Sequence, residues 1–321
     1  MKESTDIELG LDAESVTRAS HRIAKLAHRT PVMTSRTLNE LYGAELYFKC
    51  ENLQRTGAFK IRGAANAVAT LPMAQAPRGV VTHSSGNHGA ALACAAAASG
   101  IDCHVVVPEG AVASKVANIR RYGGNVIECA PTQAAREAGL AQAVERTGAT
   151  AIVPYDDPRI IAGQGTIALE LLEQVPDLDA IITPLGGGGM LSGCALWAAH
   201  KNPNTQVYGA EPAGADDGYR SIKLGKIVDD HSPETLCDGL RAKIGVLNFA
   251  LIRRHVSALL PVDDGDSVRA MAEIMMTMKL VVEPSSSIAL AAVSTNRERF
   301  AGQKVGVVLS GGNVDLKDLP F

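Results

Sequence analysis

In residues 79–107, GVVTHSSGNHGAALACAAAASGIDCHVVV, a β-branched run from Gly79 to Thr82 gives way to a turn rich in hydroxyls and glycine. An Ala- and Leu-rich stretch of helical length follows, His88 to Ala98, and then a second β-branched run, Cys103 to Val107. Composition changes from strand to helix and back to strand, the pattern of a βαβ unit in a parallel sheet.

The alternation continues on both sides. Predicted helices Ala113 to Tyr122 and Gln133 to Thr147 alternate with predicted strands Asn125 to Cys129 and Thr150 to Val153, which makes a block from about Leu71 to Pro154. Further strands are predicted at Ala180 to Thr183, Gln206 to Ala210 and Val305 to Leu309. The expected class is α/β, with two open parallel-sheet lobes. No linker rich in Pro, Gly or Ser bounds the block. Residues 71–154 are therefore expected to form a small lobe inserted in a large one made of residues 1–70 and 155–321. A chain of 321 residues is long enough for two cores.

Composition narrows the function. The net charge is −3, with 46% hydrophobic and 20% charged residues. Basic residues are scattered, which disfavours nucleic acid and anionic membrane as partners, and no stretch is long and apolar enough to span a bilayer. A small-molecule substrate is expected. The six cysteines are widely separated and form no C-x-x-C pair, so they read as reduced core thiols. Residues 1–6 (MKESTD) lack the layout of a signal peptide, and a cytoplasmic location is expected.

Four segments suggest chemistry. In Thr56-Gly57-Ala58-Phe59-Lys60-Ile61-Arg62-Gly63-Ala64, Lys60 stands between two large apolar residues. Desolvation lowers the pKa of such a lysine and makes it a nucleophilic amine, although the tripeptide alone is far more often a half-buried lysine reaching out to solvent. In Thr82 to Gly89, Ser84, Ser85, Gly86, Asn87 and His88 sit where a strand ends and a helix begins, a receptor for a carboxylate or a plain helix cap. In Pro184 to Gly193, the run Gly186-Gly187-Gly188-Gly189 follows a strand and precedes a helix, which reads as a phosphate cup. In Val307 to Asn313, a strand ends in Ser310 and two glycines. Gly163 to Ala168 fits the loose dinucleotide pattern G-x-G-x-x-A and opens a predicted helix, but no clear strand precedes it.

In order and spacing, TGAFKIRGA, SSGNHG, AGQGTIALE, GGGGMLSG and LSGGNVDL resemble the fold type II (tryptophan synthase β-like) pyridoxal phosphate (PLP) enzymes. More narrowly, they resemble the serine/threonine dehydratase and serine racemase group. The resemblance runs from about Thr30 to Leu316. It implies Lys60 as the Schiff-base lysine, Gly186 to Gly189 as the phosphate cup, Phe59 beside the pyridine ring, Asn87 on its 3-hydroxyl and Ser310 at its nitrogen. A neutral hydroxyl there makes the ring a weaker electron sink, which favours expulsion of a β leaving group over transamination.

The implied reaction is α,β-elimination of water from a 3-hydroxy amino acid, giving a keto acid and ammonia. Ser85 matches the residue that returns a proton on the opposite face in racemases, so serine racemase activity is also implied. Glu211, Ala215 and Asp217 match a divalent cation site for Mg²⁺, Ca²⁺ or Mn²⁺. Arg136 and Lys243 raise an alternative substrate, threo-3-hydroxyaspartate giving oxaloacetate, if they hold a second carboxylate; both also read as surface charges. β-Replacement and a non-catalytic PLP-binding role are weaker alternatives. The resemblance implies a homodimer. Ala90 and Arg36 depart from the nucleotide effector site of the animal racemases, so activation by ATP is not expected.

Overall fold

The computed structural model describes residues 10–84, 86–315, 317 and 319–321. Among them, ten strands form two sheets: β1 (Val32–Thr34), β2 (Glu45–Cys50), β3 (Val80–His83), β4 (Cys103–Pro108), β5 (Asn125–Cys129), β6 (Thr150–Ala151), β7 (Ala180–Pro184), β8 (Gln206–Pro212), β9 (Ala258–Val262) and β10 (Lys304–Leu309). The six-stranded sheet runs β1-β2-β10-β7-β8-β9 and the four-stranded sheet β5-β4-β3-β6. Every neighbouring pair is parallel except β1 with β2. The smaller sheet is drawn wholly from residues 80–151, and the larger from both sides of that span.

Parallel sheets need cover on both faces. β7 is accordingly buried along its whole length, as are Val80, Val81 and Thr82 of β3. The Asn87–Ala98 helix is buried nearly all round, and its small alanines let it lie close against the Lys60–Ala69 helix. The Pro158–Gln174 helix starts on Asp157, whose side chain accepts the Arg159 N–H at 2.8 Å, with proline at the first helical position.

Three strands escape the sequence patterns. β1 has only three residues. β2 carries Lys49 at a fully buried position, and β9 contains Pro261, which argues against a strand interior but is tolerated here because β9 is an edge. The G-x-G-x-x-A stretch also needs correction: it does not open a helix but lies inside Pro158–Gln174. Its glycines serve packing. A Cβ on Gly163 would come 2.6 Å from the Arg62 carbonyl oxygen, and one on Gly165 2.8 Å from that of Gly193.

A buried ion cluster joins these elements. The Arg62 guanidinium meets the Glu51 carboxylate at 2.7 and 2.8 Å and that of Glu170 at 2.7 and 2.9 Å. Lys49 Nζ donates to Glu170 at 2.7 Å, to the Thr30 carbonyl at 2.8 Å and to Gln174 at 2.9 Å. Burial alone would raise the Glu51 carboxyl, but Arg62 outweighs it and holds the group below the usual carboxylate range. Arg62→Met would leave Glu51 buried without its guanidinium. The expected loss is about 3–5 kcal/mol of stability, read as a lower urea midpoint at an unchanged denaturant slope.

Candidate active site

The loop before Lys60 is strapped to the end of β10. The Phe59 N–H donates to the Ser310 carbonyl at 3.0 Å, the Gly312 N–H donates to the Gly57 carbonyl at 2.9 Å, and Ala58 bridges Gly311. Two motifs at opposite ends of the chain thereby become one wall. Thr56 and Gly57 both take left-handed backbone conformations, φ +68° and +76°. For threonine this costs roughly 1–2 kcal/mol, which the strap offsets.

Lys60 opens the Lys60–Ala69 helix. Its ammonium donates to the Pro154 carbonyl at 2.9 Å and lies 5.0 Å from the centroid of the Phe59 ring. Burial lowers its pKa to about 8, against the opposing charge of Glu283. Arg62, two residues on, is saturated by carboxylates, whereas Lys60 is offered a carbonyl and a ring face. That environment favours the neutral amine.

Beside it, Gly86 starts the Asn87–Ala98 helix without a side-chain cap, which leaves N–H groups of the first turn for an anion. The Ser84 hydroxyl accepts the Gly86 N–H at 3.4 Å. Ser85 lies outside the described residues. The His88 imidazole turns into the core, with Nε2 3.2 Å from the Ile152 carbonyl oxygen and Nδ1 buried without a hydrogen-bond partner. Burial, with Lys60 adding, lowers its pKa to about 3 and keeps it neutral. Only its backbone remains for the carboxylate cradle.

The glycine run turns from β7 into the Gly189–Lys201 helix, with Gly188 at φ +99°. A Cβ on Gly186 would come 2.9 Å from Leu240 Cα, and one on Gly188 2.7 Å from Asn248 Cβ, while the Tyr155 ring lies against Gly187. The Gly187 carbonyl accepts from the Gly245 N–H at 3.1 Å and from Asn248 Nδ2 at 2.9 Å. With the carbonyl tied down and no side chain capping the helix, the loop offers a phosphate its N–H groups. Ser310, buried, donates its hydroxyl to the Ser285 carbonyl at 3.4 Å.

Glu283 and Asn313 flank Asn87, a placement that the sequence reading did not foresee. Asn87 Nδ2 donates to Glu283 Oε1 at 2.9 Å, and Asn313 Nδ2 donates to Asn87 Oδ1 at 2.9 Å. Burial, with the charge of Asp238 adding, raises the Glu283 carboxyl to about 7. Asp238 also pairs with Lys115 of the Ala113–Arg121 helix, so an ion pair joins that helix to the Asp238–Leu240 turn. Asn313 stood inside a quoted motif, but nothing in Val281-Val282-Glu283-Pro284 marks its acid as internal.

The remaining predicted residues fall into two groups. Lys243 is engaged by Asp229 at 3.4 Å, at a partly exposed position. Arg136 is close enough to His83 for its charge to help lower the His83 pKa, after burial, and its Nε is buried without a hydrogen-bond partner. Glu211 accepts the Gly218 and Tyr219 N–H groups at 2.9 and 2.7 Å, while Asp217 accepts that of Ile244 at 2.8 Å and faces His231 Nδ1 at 3.1 Å. Burial raises both acids, Glu211 to about 8. Among the described residues no group of three or more His, Cys, Asp and Glu is arranged to hold a metal. Two adjacent buried carboxylates near the Ala215 turn are nevertheless a donor set that a divalent cation would neutralise.

Comparison with known proteins agrees with this geometry. Residues 23–311 match the family described as pyridoxal-phosphate dependent enzyme. A beta-hydroxyaspartate dehydratase from Paracoccus denitrificans is 49% identical, over 96% of this chain and 98% of its own. Serine racemase from Dictyostelium discoideum is 47% identical, over 95% and 96% respectively. The solved structure of maize serine racemase superposes with a TM-score of 0.94 at 46% identity, covering 96% of this chain and 95% of that one. By that family match and those identities, the chain belongs to the pyridoxal-phosphate dependent enzymes.

Proposed function

We propose that the chain eliminates water from a 3-hydroxy amino acid to give a keto acid and ammonia, with 3-hydroxyaspartate, which yields oxaloacetate, as preferred substrate. The elimination reading is carried by Lys60, an enclosed amine with a pKa of about 8, set between a glycine cup and an uncapped helix. Bound PLP supplies an electron sink for charge developing at the substrate α-carbon. Gly186 to Gly189 would hold its phosphate, with Phe59, Asn87 and Ser310 around the ring. The neutral Lys60 amine takes the α-proton. Ser84 and the N–H groups of Gly86, Asn87 and His88 receive the α-carboxylate.

Preference for a dicarboxylate is supported by Arg136, whose Nε is buried without a hydrogen-bond partner, and by the likeness to a beta-hydroxyaspartate dehydratase. Lys243 already has Asp229 as partner, which leaves the second carboxylate to Arg136. Serine turnover with racemisation, Ser85 returning the proton, is the second reading; the serine racemase relatives favour it. Glu211, Asp217 and the Ala215 carbonyl would bind Mg²⁺, Ca²⁺ or Mn²⁺ and so relieve two crowded acids. We also read residues 71–154 as the inserted lobe and a homodimer as the assembly. No described helix is long and apolar enough to cross a membrane.

Keto-acid release from L-serine, L-threonine, D-serine and the 3-hydroxyaspartate isomers, with chiral analysis of the remaining amino acid, tests the function. Oxaloacetate from hydroxyaspartate is the expected product; inverted serine without keto acid would move the assignment to a racemase. Arg136→Ala is expected to lower kcat/KM for hydroxyaspartate about 10–100-fold, the loss of one charge-assisted contact, and to spare serine turnover; an unchanged ratio would refute the dicarboxylate site. Only the neutral amine reacts with free PLP. Coupling of cofactor to apoenzyme should therefore rise with pH through about 8 rather than above 10, and Lys60→Ala should retain no borohydride-fixed cofactor. Chelation with EDTA should lower Tm, and added Mg²⁺ or Ca²⁺ should restore it.

A further inference from the structure

The orientation of the Asn87 carboxamide is not left to Asn87. Asn313 Nδ2 has two hydrogens, and both are used, one on the Thr56 carbonyl at 2.8 Å and one on Asn87 Oδ1 at 2.9 Å. Its own carbonyl end lies against Gly57, so close that a Cβ there would clash. Turning the Asn313 amide over would set its oxygen against the Thr56 oxygen. Turning Asn87 over would set two NH₂ groups together and bring an amide oxygen to the Glu283 carboxylate, which now accepts from Asn87 Nδ2 at 2.9 Å. Each flip leaves polar groups of this part-buried network unmatched, which disfavours it. A proton on Glu283 does not change this, because Asn313 alone requires an acceptor at Asn87 Oδ1.

We infer that Asn313 is a positioning residue, which locks the strained Thr56–Gly57 turn to Asn87 and keeps the second N–H of the Asn87 amide free and directed as a donor. This rests on the reading of Asn87 as the partner of the cofactor 3-oxygen. Two tasks are joined in one side chain. The Thr56 carbonyl that Asn313 holds belongs to the left-handed turn four residues before Lys60, while the amide that it orients faces the same ligand from the helix side. Lysine and oxygen donor are thereby set relative to each other by a single hydrogen-bond bridge.

A donor to the 3-oxygen favours the ionised, visible-absorbing form of the lysine-linked cofactor over its neutral, near-ultraviolet form. The test is the ratio of visible to near-ultraviolet absorbance in holoenzyme of Asn87→Ala, Asn313→Asp, Asn313→Ala and Glu283→Gln, with cofactor content and thermal midpoint measured on each. Asn313→Asp is isosteric and cannot donate; the ratio should fall at least twofold with cofactor still bound, to the level of Asn87→Ala. Glu283→Gln still accepts from Asn87 and should keep the ratio. Should Asn87→Ala lower the ratio while both Asn313 variants leave it unchanged, the inference fails and the reading of Asn87 stands. A ratio unmoved by Asn87→Ala would remove that reading and the inference with it. Folded Asn313→Ala that loses the cofactor, where Asn87→Ala retains it, would place the role of Asn313 in the loop alone and also overturn the proposal.

Discussion

Lys49, Glu51, Arg62 and Glu170 form a neutral quartet where β2, the turn after it and two long helices meet, and all but Glu170 are fully buried. Four charges removed from water are tolerated only because each has partners at hydrogen-bond distance. The requirement is geometric. Arg62 reaches Glu51 and Glu170 together only if the Lys60–Ala69 helix holds one position between the sheet and the Pro158–Gln174 helix. Gly63 and Gly163 allow these two helices to touch at that position. Because Lys60 begins the same helix, its location follows from a cluster it does not join.

The contrast between Lys60 and Arg62 then explains reactivity. Both are cations in a water-poor interior. Arg62, with its planar fork and two carboxylates, is held ionised; Lys60 meets only a carbonyl, a ring face and the more remote Glu283, so desolvation prevails and its pKa falls. The same low-dielectric region raises Glu283 and lowers His88, so the acid, the amine and the imidazole around the site all lean toward their neutral forms. Charge brought by a ligand would meet little competition there from fixed ions, and oriented N–H groups at two helix starts are placed to receive it.

Much of this arrangement was legible in the residues. The β-branched runs at 80–83, 103–108 and 180–184 and the alanine-rich helix between the first two announce a parallel sheet. Four glycines after β7 announce a backbone that something must approach closely. Lys60 between Phe59 and Ile61 is ambiguous alone, and the ordered company of these motifs identifies their family. Other features left no local trace. β2 hides a buried lysine, β9 hides a proline, and nothing local shows that the His88 imidazole faces the Ile152 carbonyl. Nor does anything local show that Lys243 lies beside Asp229.

These features share a cause. Strand and helix periods, turn residues and glycine runs depend on interactions between near neighbours, so the sequence by itself determined the sheet class, and the order of its motifs determined the family. Partnership across long separations depends on which elements come to lie side by side. Only the tertiary structure decided that Arg62 would take Glu170, that Ser310 would strap Phe59, and that Asn313 and Glu283 would close on Asn87 from two sides. A side chain's charge state and direction follow from desolvation and from the groups that face it, and those are set when the two sheets and their helices pack.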